Sequence, residues 1–295
     1  ETDLPVDALG ILRTDHPHYY RGKEEGESEN QFVDRIVSNL ENLIISENPE
    51  TIAAFIAEPI TGASGVIVPP EGYYEKVQSV LSKYNIMFWA DEVITGFGRT
   101  GSDFGCTTMN IHDPDMMTFA KQLSSAYMPI SASAIRRDVY EAMIDQSAAA
   151  GAFGHGYTYS GHPVACAVAL RVLEIYERDN IFSRASATGA YLQEKLKKFE
   201  SHPLVGEVRG RGLLAALELV PNKELEHQFQ DGRVGGVAQK MAQDNGLLIR
   251  TVAGSSIGIC PPLIISKNQV DELVDKLGDA LDKTFEYCKT YKLLT

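Results

Sequence analysis

Apolar and polar positions along the chain follow two rhythms. Short continuous apolar runs at T-I-A-A-F-I-A (51–57), N-I-M-F-W-A (85–90) and D-M-M-T-F-A (115–120) predict buried strands, because a strand covered on both faces has no polar side. Between the first two, G-Y-Y-E-K-V-Q-S-V-L-S-K-Y (72–84) repeats its apolar residues at helical spacing. A further helix is expected at about 29–46, after the polar loop H-Y-Y-R-G-K-E-E-G-E-S-E-N (18–30). Helices alternating with apolar strands predict an α/β architecture: a mostly parallel sheet with helices on both faces.

The pattern then changes. H-P-V-A-C-A-V-A-L-R-V-L-E-I-Y-E-R (162–178) predicts an amphipathic helix, and a more polar one follows at about 181–200. Beyond S-H-P (201–203), strands are expected at 205–209, 213–220, 246–250 and 256–260, flanked by helices at about 233–245 and 267–290. This is an α+β module. The division is taken as residues 1–185 for the large domain and 186–295 for a C-terminal small domain. R-G-R-G-L (209–213) predicts a turn ahead of a strand, since glycine supplies unusual backbone angles.

Composition narrows the function classes. With 295 residues, 44% hydrophobic and 23% charged, the chain has ample material for a core. A net charge of −13 without a basic stripe argues against a nucleic-acid partner. No apolar run reaches the length of a membrane span. The opening E-T-D-L-P-V-D-A-L-G has neither a basic head nor a long apolar segment, so it is not read as a secretion signal. Cys106, Cys166, Cys260 and Cys288 are far apart, with no C-x-x-C, which fits a reducing cytoplasm. His16 and His18 flank Pro17 without further ligands, and no metal is expected.

The chemistry lies where the predicted strands end. Glu58, Asp91 and Lys121 follow the three apolar runs, and open α/β sheets bind ligands outside the carboxyl ends of their strands. In F-W-A-D-E-V-I (88–94) two acids interrupt an apolar run. A buried carboxylate is costly without a partner, so Asp91 is expected at a strand end, facing a cation. Lys121 lies between M-M-T-F-A and L-S-S-A-Y-M-P. Burial there would disfavour the charged amine and leave it able to attack a carbonyl. The residues alone fit two readings. One is a structural Asp91–Lys121 ion pair. In the other, Asp91 faces the pyridinium nitrogen of pyridoxal phosphate and Lys121 holds the cofactor's aldehyde.

Three motifs favour the second reading. A-E-P-I-x-G-A-x-G-V-I-V-P-P (57–70), A-D-E-V-I-T-G-F-G-R-T-G (90–101) with T-F-A-K-Q-L (118–123), and H-G-Y-T-Y-S-G-H-P (155–163) stand in this order over nearly all the chain. Together they resemble the class III (subgroup II) pyridoxal-phosphate-dependent aminotransferases. The resemblance implies a fold type I transferase and a homodimer with sites at the subunit interface, with pairing into tetramers left open. It implies that Lys121 carries pyridoxal 5′-phosphate and shuttles the proton, and that Asp91 pairs with the ring nitrogen. Val93 would pack on the ring, on the same side of an extended chain as Asp91. Glu58 would help position the site, and Thr158 would reach the phosphate of the other subunit. In the ω-transaminase branch, L-x-x-R before a strand and P-P carries an arginine for the acceptor's carboxylate. Here L-L-I-R (247–250) precedes G-I-C-P-P (258–262), which assigns that role to Arg250.

The implied reaction is a ping-pong, Schiff-base transamination from an amine or ω-amino acid to a keto acid such as pyruvate. Alternatives are a same-fold aminomutase, racemase or decarboxylase, or a non-catalytic truncated fragment. The sequence departs from the family in two respects. The family's N-terminal region, with its glycine-serine phosphate cup, has no counterpart before residue 51, so the chain is expected to begin partway through the large domain. Gln122, Ala126 and Ser131 stand where glycines are usual. His155 is read either as lining the site or as structural.

Overall fold

The computed structural model describes residues 10–223, 229 and 232–294. The acidic opening segment read above therefore lies outside the described residues, apart from Gly10. The chain divides into two compact units, Glu1–Phe55 with Pro69–Met87, and Ile56–Val68 with Phe88–Thr295.

In the described part of the first unit, a short α1 (Tyr19–Gly22) precedes α2 (Glu29–Ser46) and α3 (Tyr73–Lys83). α2 starts where the sequence supplies a reciprocal cap. The Ser28 hydroxyl accepts the Gln31 amide, and the Gln31 side chain accepts the Ser28 amide. Its buried residues Phe32, Ile36, Leu40 and Ile44 recur every four positions on one face. α3 buries Tyr73, Tyr74, Val77 and Leu81. The Asp34–Lys76 and Glu41–Lys83 ion pairs join the two helices at their exposed edges, where such pairs add little.

The first sheet has the order β1 (Ala54–Ala57), β2 (Met87–Asp91), β3 (Met116–Phe119), β4 (Ala132–Ile135). β2 and β3 are parallel, with Asp91 opposite Thr118, and β3 and β4 are antiparallel. The α/β class is met, and the sheet is mixed. The segment after β3 holds no long crossover helix, and an antiparallel return does not require one. β3 is half-buried and Ala132–Ala134 of β4 are exposed. α5 (Arg137–Ala150) buries no residue. Neither β4 nor α5 was expected, because small and polar residues there give no apolar periodicity.

The second unit continues with α4 (Gly105–Thr108), α6 (Pro163–Arg178), α7 (Ile181–Leu196), β5 (Val205–Arg211), β6 (Leu214–Leu219), α8 (Arg233–Asp244), β7 (Arg250–Val252), β8 (Ser256–Ile259) and α9 (Lys267–Thr290). Its sheet runs β5-β6-β8-β7, antiparallel throughout. β6 is buried along its whole length. Leu192, Leu204, Leu217, Leu219, Ile257 and Leu277 are fully buried around it. Each contributes about 1.5–3 kcal/mol of apolar burial. The same core takes in Phe97, Leu123 and Tyr176, so apolar packing runs without a break past residue 185. The turn expected from R-G-R-G-L is a two-residue hairpin between β5 and β6. Gly212 there has φ +58°, and a Cβ would fall 2.3 Å from the Thr100 backbone. β7 begins at Arg250 instead of 246, leaving Leu248 exposed.

Candidate active site

The two adjacent acids part company because β2 ends between them. Phe88 and Ala90 are buried while Met87, Trp89 and Asp91 are half-buried, which is the two-residue alternation of a strand. Asp91 closes the strand, as expected. Its Oδ1 accepts the Val93 amide at 3.0 Å, so the chain turns back on the carboxylate at once. Val93 therefore lies in a turn, and the expectation that an extended chain carries it beside Asp91 is corrected. A short polar side chain that bonds its own backbone two residues on favours such a turn.

Glu92 is completely buried and was assigned no role from sequence. Its amide donates to Thr118 O across to β3. Its carboxyl group accepts three bonds: from Thr95 Oγ1 at 2.6 Å, Gly105 N at 2.9 Å and Cys106 N at 2.7 Å. It thus ties the 92–106 loop to the start of α4. A Cβ at Gly105 would fall 2.5 Å from Thr95 Cβ, so only glycine brings that amide to the acid. Burial, and then the neighbouring Glu92, push the Cys106 thiol up and leave it unreactive. The one signal in the sequence was the strand's alternation, which sends position 92 to the buried side.

Glu58 follows β1, half-buried, and its Oε2 accepts the Gly62 amide at 2.8 Å. Burial raises its pKa and the charge of Asp91 adds to the rise, while the Gly62 bond and the Lys121 charge oppose it. Glu58, Asp91 and Lys121 are thus electrostatic neighbours. Because the folded carboxyl keeps its proton to higher pH than the unfolded one, folding binds a proton between the two values. Stability from this group is present below the ordinary carboxylate range and falls as pH rises through the higher folded pKa. In urea titrations, wild type relative to Glu58→Gln is therefore expected to be more stable at pH 4 than at pH 7. A gap that widens as pH rises would refute this.

Lys121 opens a single 3-10 turn, Lys121–Leu123, after β3. It has φ +44°, the left-handed region that residues with a Cβ seldom occupy. The expected burial is not found: Lys121 is exposed, as are Ser125, Ala126 and Tyr127. Of the apolar neighbours that suggested it, Leu123 alone is buried; those in β3 are half-buried, and Ala126, Tyr127 and Pro129 in and after the turn are exposed. Among the described residues no ion pair or hydrogen bond engages the Lys121 amine, so the structural Asp91–Lys121 pair is not formed.

The remaining expected residues stand apart. Thr158 lies in the exposed segment 151–161, and no hydrogen bond joins it to Glu58, Asp91 or Lys121. His155 contacts the rings of Phe153 and Tyr157 in the same segment. Arg250 opens the edge strand β7, exposed, with no side-chain partner among the described residues. Arg209 is instead an internal staple. It is buried, bonds Glu207, Glu218 and Ser256, and donates twice to Gly65 O in the loop that follows Glu58.

The family model for class-III aminotransferases matches residues 10–281. Among curated proteins, the chain is 48% identical over 285 residues to a probable gamma-aminobutyrate transaminase 3, mitochondrial, of Oryza sativa subsp. indica, covering 96% of this chain and 55% of that protein. It is 49% identical over 283 residues to gamma aminobutyrate transaminase 3, chloroplastic, of Solanum lycopersicum, covering 96% and 54%. The chain thus spans about half the length of these relatives. Among solved structures, a transaminase with L-alanine superposes with a TM-score of 0.93 at 47% identity, covering 97% of this chain and 67% of that one. An omega transaminase from Pseudomonas jessenii in complex with PMP gives 0.92 at 48% identity, covering 97% and 62%.

Proposed function

Because the chain belongs to the class-III aminotransferase family, we propose that its protein moves an amino group from an amine or ω-amino acid to a keto acid such as pyruvate, in a ping-pong sequence. The observation that carries this reading is the convergence at one sheet end of Glu58 after β1, Asp91 at the end of β2 and the Lys121 amine after β3. Pyridoxal 5′-phosphate is the family's cofactor, and this donor set fits it. An exposed amine with no hydrogen bond or ion pair among the described residues suits an aldehyde, and a carboxylate fixed by a backbone amide suits a protonated ring nitrogen. When bound, the group supplies that aldehyde and a ring that withdraws electrons from the carbon bearing the amine.

The chain's residues take the following parts. Lys121 Nζ would hold the aldehyde and, as a free amine, would take the proton from the donor carbon and give it to the carbon on the other side of the donor nitrogen. Asp91, oriented by the Val93 amide, keeps the ring nitrogen protonated. Val93 packs on the ring, and Glu58 steadies the surroundings of Asp91. Arg250 takes the acceptor's carboxylate with a planar, two-pronged guanidinium. The exposed hydroxyl of Thr158 serves the phosphate of a partner subunit in a homodimer.

We also propose the division into a cofactor-binding part up to residue 185 and a small domain from 186. No helix among the described residues is long and apolar enough to cross a membrane. The four cysteines are free, and a cytoplasmic setting is proposed on that ground, although the plant relatives carry mitochondrial or chloroplastic in their names.

The test is dependence on a keto acid. With pyridoxal 5′-phosphate bound, oxidation of an ω-amino acid such as gamma-aminobutyrate to its aldehyde is expected to stop after one turnover and to resume when pyruvate is added. Sustained conversion of the amine without any keto acid would reject transamination.

A further inference from the structure

Lys121 is held in an unfavourable backbone conformation, and something must hold it. Lys121, Ser125 and Ala126 have φ of +44°, +48° and +63° within six residues. A non-glycine residue in that region is strained and persists only where its surroundings over-determine it. None of the three is glycine, so the conformation is not supplied by glycine's freedom.

We infer that Tyr176, from α6, is a positioning residue for Lys121. It acts through Gln122, and the assignment rests on the transaminase reading above. The Tyr176 ring is buried in the core that also takes Leu123. Its hydroxyl lies 2.9 Å from Gln122 O, to which it donates, and 3.2 Å from Gln122 Oε1. One oxygen on α6 therefore grips the residue that follows the lysine in its turn. Other bonds close the turn on itself: Ser125 N to Gln122 O, Ala126 N to Lys121 O, and Ser124 Oγ to Met128 O. Those bonds set the turn's shape but not its location. The phenol, with the buried Leu123 and Ser124, fastens it to the core. The Gln122 side chain, absent where glycine stands, gives the phenol a second acceptor in this chain.

Tyr176 touches neither Asp91 nor Glu58, and its ring stays in place in Tyr176→Phe. The experiment has two arms. In the protein without cofactor, amide exchange at Leu123, Ser125 and Ala126 is expected to quicken about three- to tenfold in Tyr176→Phe, the worth of one neutral hydrogen bond, with β5–β8 unchanged. In the cofactor-loaded protein, kcat is expected to fall about three- to tenfold with the KM of the donor amine unchanged, a split that general loosening of the fold would not produce. Gln122→Gly, which removes one acceptor from an otherwise intact core, is expected to move both readouts in the same direction by less. Unchanged exchange in the turn, or faster exchange with kcat unaltered, overturns the inference. Loss of kcat together with a raised KM does so as well. Should wild type show no transamination at all, the functional reading falls. The exchange arm then decides alone whether the phenol holds the turn.

Discussion

Lys121→Ala is expected to lower amine turnover by more than about a thousandfold, because one group both holds the cofactor and moves the proton. Intact-mass measurement after borohydride treatment is expected to show pyridoxal phosphate fixed to the wild-type chain and absent from the variant. Because Lys121 is exposed and its amine has no bonding partner among the described residues, the substitution costs little stability, within about 0.5 kcal/mol. Loss of activity with an unchanged urea midpoint therefore separates chemistry from unfolding. Repeated turnover by the alanine variant, or a borohydride adduct at another lysine, removes Lys121 from the centre of the mechanism.

Glu92→Ala is expected to have the opposite profile, with a large loss of stability. The acid is fully buried and accepts from a hydroxyl and two backbone amides. Each buried donor left without a partner costs about 1–3 kcal/mol, so the variant should lose roughly 3 kcal/mol or more at neutral pH in urea unfolding. The loop from 92 to 106 leaves the strand that presents Asp91, so cofactor affinity should weaken with it. Glu92→Gln, which keeps one acceptor but turns an amide group toward donors, should fall between wild type and alanine. An alanine variant as stable as wild type would mean that water or a shifted loop satisfies the three donors.

The contrast between these adjacent acids marks how far the sequence was legible. The continuous apolar runs identified β1, β2 and β3, and the helical spacing identified α2, α3 and α6, because burial imposes a repeat that side-chain chemistry reveals. Strand ends were legible for the same reason, and they carried Glu58, Asp91 and Lys121 to one edge. β4 and α5 were not legible, since they bury almost nothing and so carry no apolar repeat. The apolar letters around Lys121 misled for a related cause: a tight turn directs neighbours to different sides, and proximity in sequence did not become burial.

The linear order of residues determined which strands and helices form, the α/β class, the family, and the three groups at the sheet edge. Those depend on local preference and on one repeating distinction between apolar and polar. Only the tertiary structure decided that Glu92 turns inward as an anchor while Asp91 remains at the edge. It alone assigned Arg209 to an internal staple and brought Tyr176 to the lysine turn from 54 positions away. These depend on where separate elements meet. A hydrogen bond between distant segments is set by packing geometry, and packing geometry has no signature in a single stretch of chain.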